Sequence, residues 1–261
     1  MPEAPSFSLA GKVIVQFGGT GVLGRSLAAA LAEAKATLIV ASRNRTSLAN
    51  LADEQRALGY TVHIDEVDIG SEASLHALRD RILDTHGRID GIVFNAVSRP
   101  MKSYDADLKD WRSSMDVNAT GFFATVRAFG DAMVGQKSGS IVNIASQMGT
   151  IGMNPWLYEE TPMPVPPDYF FHKGGMINLT RYLASHYGSH NIRVNVVSPG
   201  GIANPDQPQA EAFVTRYGKM TMLGRLAHAR EIGGSVVFLL SDASTYLTGT
   251  NIAIDGGYTA K

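Results

Sequence analysis

Short apolar runs rich in β-branched residues recur along the chain at 13–17, 38–41, 61–67, 92–95, 141–145, 192–197 and 252–254. Runs of this length and composition read as buried strands. Between them apolar residues fall at helical spacing, as at Leu23, Leu27 and Leu31 or at Trp111, Met115 and Phe122, which suits helices lying on a sheet. Strand and helix alternating throughout predict an α/β fold: one doubly wound parallel sheet of about seven strands flanked by helices, in a single domain over 1–261. No dividing linker and no short repeat interrupts the alternation.

Two stretches break it. Residues 148–168 hold Pro155, Pro162, Pro164, Pro166 and Pro167 beside Trp156, Tyr158, Glu159 and Glu160, and prolines at that density forbid a regular helix or a central strand. Residues 201–223 carry Pro205, Pro208 and one short helical pattern at 209–217. Loops this long inside a compact domain serve more often as lids or binding loops than as mere connections.

Composition narrows the function by exclusion. The 261 residues are 44% hydrophobic, ample for a buried core, and 23 basic residues stand against 24 acidic ones. A net charge of -1 leaves no electrostatic footprint for nucleic acid or an anionic membrane. With no cysteine there are no disulfides and no thiolate metal sites, and no metal is expected. The first twelve residues lack a signal pattern, and no segment reaches the ~18 apolar residues a membrane helix needs, so a soluble, cytoplasmic protein is expected.

Directly after the first strand comes Gly18-Gly19-Thr20-Gly21-Val22-Leu23-Gly24, opening a helical pattern. Gly18 suits the tight turn, Gly21 lets the backbone approach a pyrophosphate, and Gly24 lets helix and strand pack closely, with the helix N-terminus facing the negative charge. A plain flexible turn is the alternative, but four glycines in seven positions at this junction favour a phosphate cradle, with Thr20, Val22 and Leu23 as further contacts. At the end of the second strand, where an NAD site presents a carboxylate to the adenosine ribose, stand Ser42 and Arg43. A hydroxyl and a guanidinium suit a 2′-phosphate, favouring NADP(H) over NAD(H); the alternative for Arg43 is a solvated residue before a helix. Asp68-Ile69 and Asn95-Ala96 fall at carboxyl ends of strands, where the ligand crevice of such sheets lies.

Tyr169 and Lys173 are four residues apart, on one face of a helix if a helix forms there. An ammonium beside a phenol favours the phenolate, which would make the pair an acid/base device. The spacing alone more often marks an amphipathic surface.

In order and spacing, these residues resemble the short-chain dehydrogenase/reductase family over essentially the whole chain. The resemblance rests on Gly18 to Gly24, Asp68-Ile69, Asn95-Ala96, Asp116-Val117-Asn118, Ile144-Ala145-Ser146, Tyr169 with Lys173, Arg193-Val194-Asn195, Pro199-Gly200, Leu247-Thr248-Gly249 and Asp255-Gly256-Gly257. It implies a Rossmann-type fold, a nicotinamide cofactor and a catalytic set of Asn118, Ser146, Tyr169 and Lys173. Tyr169 would pass the proton, Lys173 would support the phenolate and bind the nicotinamide ribose, Ser146 would fix the substrate carbonyl, and Asn118 would hold a water linking Lys173 to solvent. Pro199, Gly200 and Ile202 would contact the cofactor. A homo-oligomer, tetramer or dimer, is implied through 111–134 and 249–258.

The chain departs from the family pattern at Phe17, usually Thr; at Val97, usually Gly; at Asn204, usually a hydroxyl residue; and at Gly21, one position before the usual middle glycine. Phe170, Phe171 and His172 replace small residues, and His172 reads as structural more readily than as a group tuning the site. Ser146 and Tyr169 lie farther apart than is usual, so 148–168 reads as an insertion. It is similar to a branch acting on sugars, sugar acids and glycans, in which Met148, Trp156, Tyr158, Glu159, Glu160 and Arg99 would line a polar substrate pocket. Packing at a subunit interface is the alternative for the insertion. The expected activity is NADP(H)-dependent oxidation of a secondary alcohol, or the reverse, on a polar sugar-derived metabolite; the alternatives are a 3-oxoacyl or hydrophobic ketone substrate, and a nucleotide-binding scaffold or sensor.

Overall fold

Seven parallel strands form where the β-branched runs lie: β1 (Val13–Phe17), β2 (Thr37–Ser42), β3 (His63–Glu66), β4 (Gly91–Phe94), β5 (Gly139–Ile144), β6 (Ile192–Pro199) and β7 (Asn251–Ile254). They pair in the order β3-β2-β1-β4-β5-β6-β7 in a computed structural model that describes residues 6–261. Successive side chains of β1 go to opposite faces, as strand geometry requires. Val13, Val15 and Phe17 join one core, with Phe94, Phe122, Phe129 and Met176, while Ile14 joins the other, with Leu27, Leu31, Leu48, Ile232 and Val236. The helices follow this division. On the first face lie α3 (Glu72–His86), α5 (Phe122–Val134) and α6 (Pro167–Gly188), and on the second α1 (Val22–Glu33), α2 (Arg45–Ala57) and α8 (Arg230–Leu240). Each wholly buried large apolar side chain contributes about 1.5–3 kcal/mol relative to exposure, so the two cores hold the sheet between its helix layers.

The edges differ from the sequence expectation. The run at 61–67 reads as a buried strand, but β3 is four residues long and its His63, Ile64 and Glu66 are exposed. An edge strand has one unpaired side, and polar residues there discourage further pairing. The helical spacing through Trp111, Met115 and Phe122 is also not one helix. Here α4 (Leu108–Met115) passes into a π-helical turn at Asp116–Gly121 before α5, and Trp111 is only partly buried.

The proline-rich 148–168 segment has no strand and no α-helix before Pro167, only two short 3₁₀ turns at Gln147–Gly149 and Pro155–Leu157. A small third core docks it: Leu157 packs with Phe213 and Tyr217 of α7 (Glu211–Met220), with Leu226 and with Tyr258 near the C-terminus. The two irregular stretches thus hold each other above the carboxyl ends of the strands. Among the described residues, no helix is long and apolar enough to cross a membrane.

Candidate active site

The strand order reverses direction between β1 and β4, and the turn after β1 opens there. Gly18 has φ +83°, and a Cβ on it would lie 2.6 Å from the backbone of Ala96, so the turn after β1 and the one after β4 touch backbone to backbone. Asn95 secures the contact by donating from Nδ2 to Gly18 O at 2.6 Å. Gly21 forms the N-cap of α1 with no side-chain cap and no acidic residue in the first turn, and a Cβ there would meet nothing within 4 Å. Uncapped amides and open space above them are what an anionic phosphate needs. Ser42 Oγ, at the end of β2, is buried without a hydrogen-bond partner, and Arg43 beside it is exposed. The residues present therefore fit a dinucleotide.

Pro166 and Pro167 start α6, since proline suits the first helical position, and Asp168 follows in the first turn, favoured by the helix dipole. Tyr169 and Lys173 then share a face one turn apart. Lys173 Nζ donates to Ile144 O, the last carbonyl of β5, at 2.6 Å, and lies 5.8 Å from the Tyr169 ring centroid. Gly149 makes this possible: a Cβ on it would sit 2.8 Å from the Lys173 carbonyl, so only glycine lets the turn after Ser146 lie on α6. Burial, with Arg99 as a smaller contribution, pushes the Lys173 pKa down to about 7. Ser146 is buried, and its Oγ accepts from Met148 N at 3.2 Å.

A cleft of about 550 Å³ brings these pieces together. Its lining includes Gly21, Val22 and Leu23 of the glycine turn, Asn95, Ser146, Tyr169 and Lys173, and Pro199, Gly200 and Ile202 after β6. Of the substrate candidates, Met148, Tyr158 and Arg99 line it. Trp156 does not; its ring lies beside the Arg216 guanidinium, 5.9 Å from centroid to Cζ. Glu159 and Glu160 also lie outside the lining and engage Arg216, through the Glu159 carbonyl and at 3.8 Å from the Glu160 carboxylate. Aromatic and acidic residues of the insertion thus anchor it to α7. Gly18, Thr20, Ser42, Arg43, Asp68, Ile69 and Ala96 are not part of the lining. Ile69 is buried in the core, and Asp68 Oδ1 accepts from Gly70 N at 3.0 Å.

Asn118 sits in the π-helical turn, buried, and its side chain is fully engaged. Its Oδ1 accepts from Ser98 N at 2.8 Å, and Nδ2 donates to Ser98 O at 2.8 Å and to Ser114 Oγ at 2.9 Å. Ser114 in turn donates to the buried Asp168 carboxylate. The chain Ser98–Asn118–Ser114–Asp168 ties the loop after β4 to the residue preceding Tyr169. Ser114 and Asp168 escaped the sequence reading, although Ser114 stands one helical turn before Asn118. Gln147 and Tyr217 escaped it too: both line the cleft, and Tyr217 Oη donates to Gln147 Oε1 at 3.1 Å across 70 positions, with no local signal. His172 is buried with neither ring nitrogen partnered, its ring edge-on to Tyr169 at 5.3 Å; burial first, then Lys173 and Arg99, push its pKa down to about 3.

Residues 20–259 match the family model described as "Enoyl-(Acyl carrier protein) reductase". The chain belongs to the short-chain dehydrogenase/reductase family. As a member it is an oxidoreductase, and its family uses NAD or NADP. It is 30% identical to a D-threitol dehydrogenase of Mycolicibacterium smegmatis, over 98% of this chain and 95% of that one. Its fold is similar to a gluconate 5-dehydrogenase from Burkholderia cenocepacia J2315, solved in complex with NADP and tartrate, with a TM-score of 0.86, 28% identity and 98% of each chain covered. A NAD+-bound xylitol dehydrogenase superposes with a TM-score of 0.85 at 27% identity, over 95% of this chain and 99% of that one.

Proposed function

We propose that this dehydrogenase/reductase interconverts a secondary alcohol and a ketone on a polar, sugar-derived metabolite, using NADP(H), with Tyr169 as proton donor and acceptor. The observation that carries this reading is that Tyr169, Ser146 and Lys173 line the same cleft as the uncapped N-terminal turn of α1. A dinucleotide held by its phosphates at that turn would supply the hydride acceptor or donor in the cleft. Tyr169 takes the hydroxyl proton as the C–H hydride leaves, or returns it in the reverse direction, so that neither charge accumulates. Ser146 donates to the substrate oxygen and holds the reacting carbon in line. Lys173, held on Ile144 O with its ammonium 5.8 Å from the Tyr169 ring centroid, favours the phenolate.

Arg43 and Ser42 support the preference for NADP(H), since a guanidinium and an unpartnered buried hydroxyl stand together where a 2′-phosphate is read. The names of relatives acting on threitol, gluconate and xylitol support a polyhydroxylated substrate. The family description favours, as a second reading, an acyl thioester ketone, and Met148, Met163, Val165 and Phe170 give the cleft an apolar share. A homo-oligomer, dimer or tetramer, through 111–134 and 249–258 belongs to the same proposal.

The test is a screen of alditols, aldonates, ketoses and 3-oxoacyl thioesters with both cofactors, following reduced-nicotinamide absorbance. Turnover of sugar-derived compounds with NADP(H) is expected, and turnover confined to thioesters overturns the substrate reading. Tyr169→Phe should abolish that turnover while leaving NADPH binding nearly unchanged. Retained turnover would remove Tyr169 as the proton donor.

A further inference from the structure

The cleft around Tyr169 is charged in one sense only. Among the described residues its charged lining groups are Arg99, Lys102 and Lys173, with no Asp or Glu, in a chain where acidic residues outnumber basic ones. Lys173 is held by the Ile144 carbonyl, and Lys102 Nζ donates to Arg99 O at 2.8 Å within the loop after β4. The Arg99 guanidinium lies over the Tyr169 ring, 5.1 Å from its centroid, and makes no hydrogen bond or ion pair with any described residue. Two arginines next in sequence to lining residues are treated differently: Arg25 pairs with Asp206 and Arg216 with Glu160. A planar fork of five donors left open over the reacting ring is built for a carboxylate or a comparable oxyanion.

Its position also separates it from the cofactor's phosphates. The anion site of the dinucleotide is the N-terminus of α1, whereas Arg99 stands over the phenol to which the reacting carbon must come. Arg99 also lies close enough to Lys173 to lower its pKa, second to burial, so an anion bound between them would meet two positive groups.

We propose that Arg99, assisted by Lys102, binds a carboxylate of the substrate and makes this enzyme selective for hydroxy acids and their oxo acids over neutral polyols. The proposal rests on the oxidoreductase reading and adds the substrate's charge to it. Because the guanidinium covers the Tyr169 ring itself, the carboxylate lies within a few bonds of the carbon that is oxidised. That carbon loses a hydride to NADP+ and its hydroxyl loses a proton to Tyr169, while the carboxylate is unchanged.

The experiment compares D-gluconate with D-glucitol, two substrates alike except for the terminal acid, in the parent enzyme, Arg99→Gln and Arg99→Lys. The parent should favour the acid in kcat/KM. Arg99→Gln should reduce the acid-to-alcohol ratio by about 10- to 100-fold, and Arg99→Lys should recover part of it, since a point charge replaces a fork. NADPH affinity, read by fluorescence titration, should not change. A parent preference for the alcohol, an unaltered ratio in Arg99→Gln, or a loss of NADPH binding in that variant would each overturn the proposal. Thermal shifts with D-gluconate and D-glucitol in the presence of NADP+ read the same contact without turnover. Stabilisation by the acid alone that disappears in Arg99→Gln supports the carboxylate site even if the redox reading fails, and equal responses to both probes refute it.

Discussion

Lys173 and His172 are adjacent in sequence, both buried, and both hold a pKa below the ordinary value for their type. For His172 the unfolded value of 6.5 falls to about 3 in the folded protein. Between those values the unfolded chain binds a proton that the native one does not, so stability is full above pH 6.5 and is lost as pH falls toward 3. His172→Leu should therefore raise the melting temperature at pH 4.5 relative to the parent, by roughly 1–3 kcal/mol of stability, with the difference closing by pH 7.5. Calorimetry at the two pH values checks it, and a pH-independent effect would count against burial of a neutral imidazole. Lys173 has the same sign in another window, from 10.5 down to about 7, where stability rises with pH. At the far end of the crevice, Arg43→Ala should weaken NADPH binding by about 1–3 kcal/mol and spare NADH, as expected for one charged hydrogen bond. Equal losses for both cofactors would remove Arg43 from the 2′-phosphate. Residue type and order singled out Tyr169, Lys173 and Ser146, which the structure brings to one cleft, but not the depressed pKa of Lys173, because it arises from burial and, to a smaller degree, from Arg99.

At the scale of elements, the π-helical turn and the start of α6 are joined by the Asn118–Ser114–Asp168 chain. A buried carboxylate that loses its donor is costly, and Asp168 Oδ1 is already without a partner. Ser114→Ala should lower the unfolding free energy by about 1–3 kcal/mol in urea. It should also reduce kcat by misplacing Tyr169, whereas a change in stability with kcat intact would confine the chain to a structural role. The insertion offers a second test. Residues 163–166 line the cleft, while Glu159 and Glu160 hold Arg216 on α7. Shortening 159–166 should shift substrate preference more than cofactor affinity, and the reverse outcome would favour an interface role. The prolines announced the irregular backbone correctly, since they remove donors wherever they stand. They gave no hint that Trp156, the Glu159 carbonyl and Glu160 engage α7 instead of lining the cleft, which depends on the partner Arg216 far along the chain.

On the scale of the whole molecule, the strand order places the turns after β1 and β4 side by side and leaves α4 and α5 with exposed apolar groups. Leu108 and Phe123 are exposed, and Phe171 of α6, packed on Trp111 at 5.3 Å, is 60% exposed. Light scattering should give the mass of a dimer or tetramer, and Phe123→Glu should reduce it; a monomeric parent would dismiss the oligomer. The apolar pattern alone determined the α/β class and the presence of seven strands, because a strand covered by helices on both faces reads as a short continuous apolar run, while a helix on a sheet repeats its apolar positions every three to four residues. Family membership also followed from local motifs in order. Only the tertiary structure decided that β3 is an exposed edge, that the insertion docks on α7, and that one unpaired guanidinium stands over Tyr169 in a cleft without carboxylates. Those outcomes depend on residues distant in sequence meeting in space, and neither spacing nor composition encodes which of them meet.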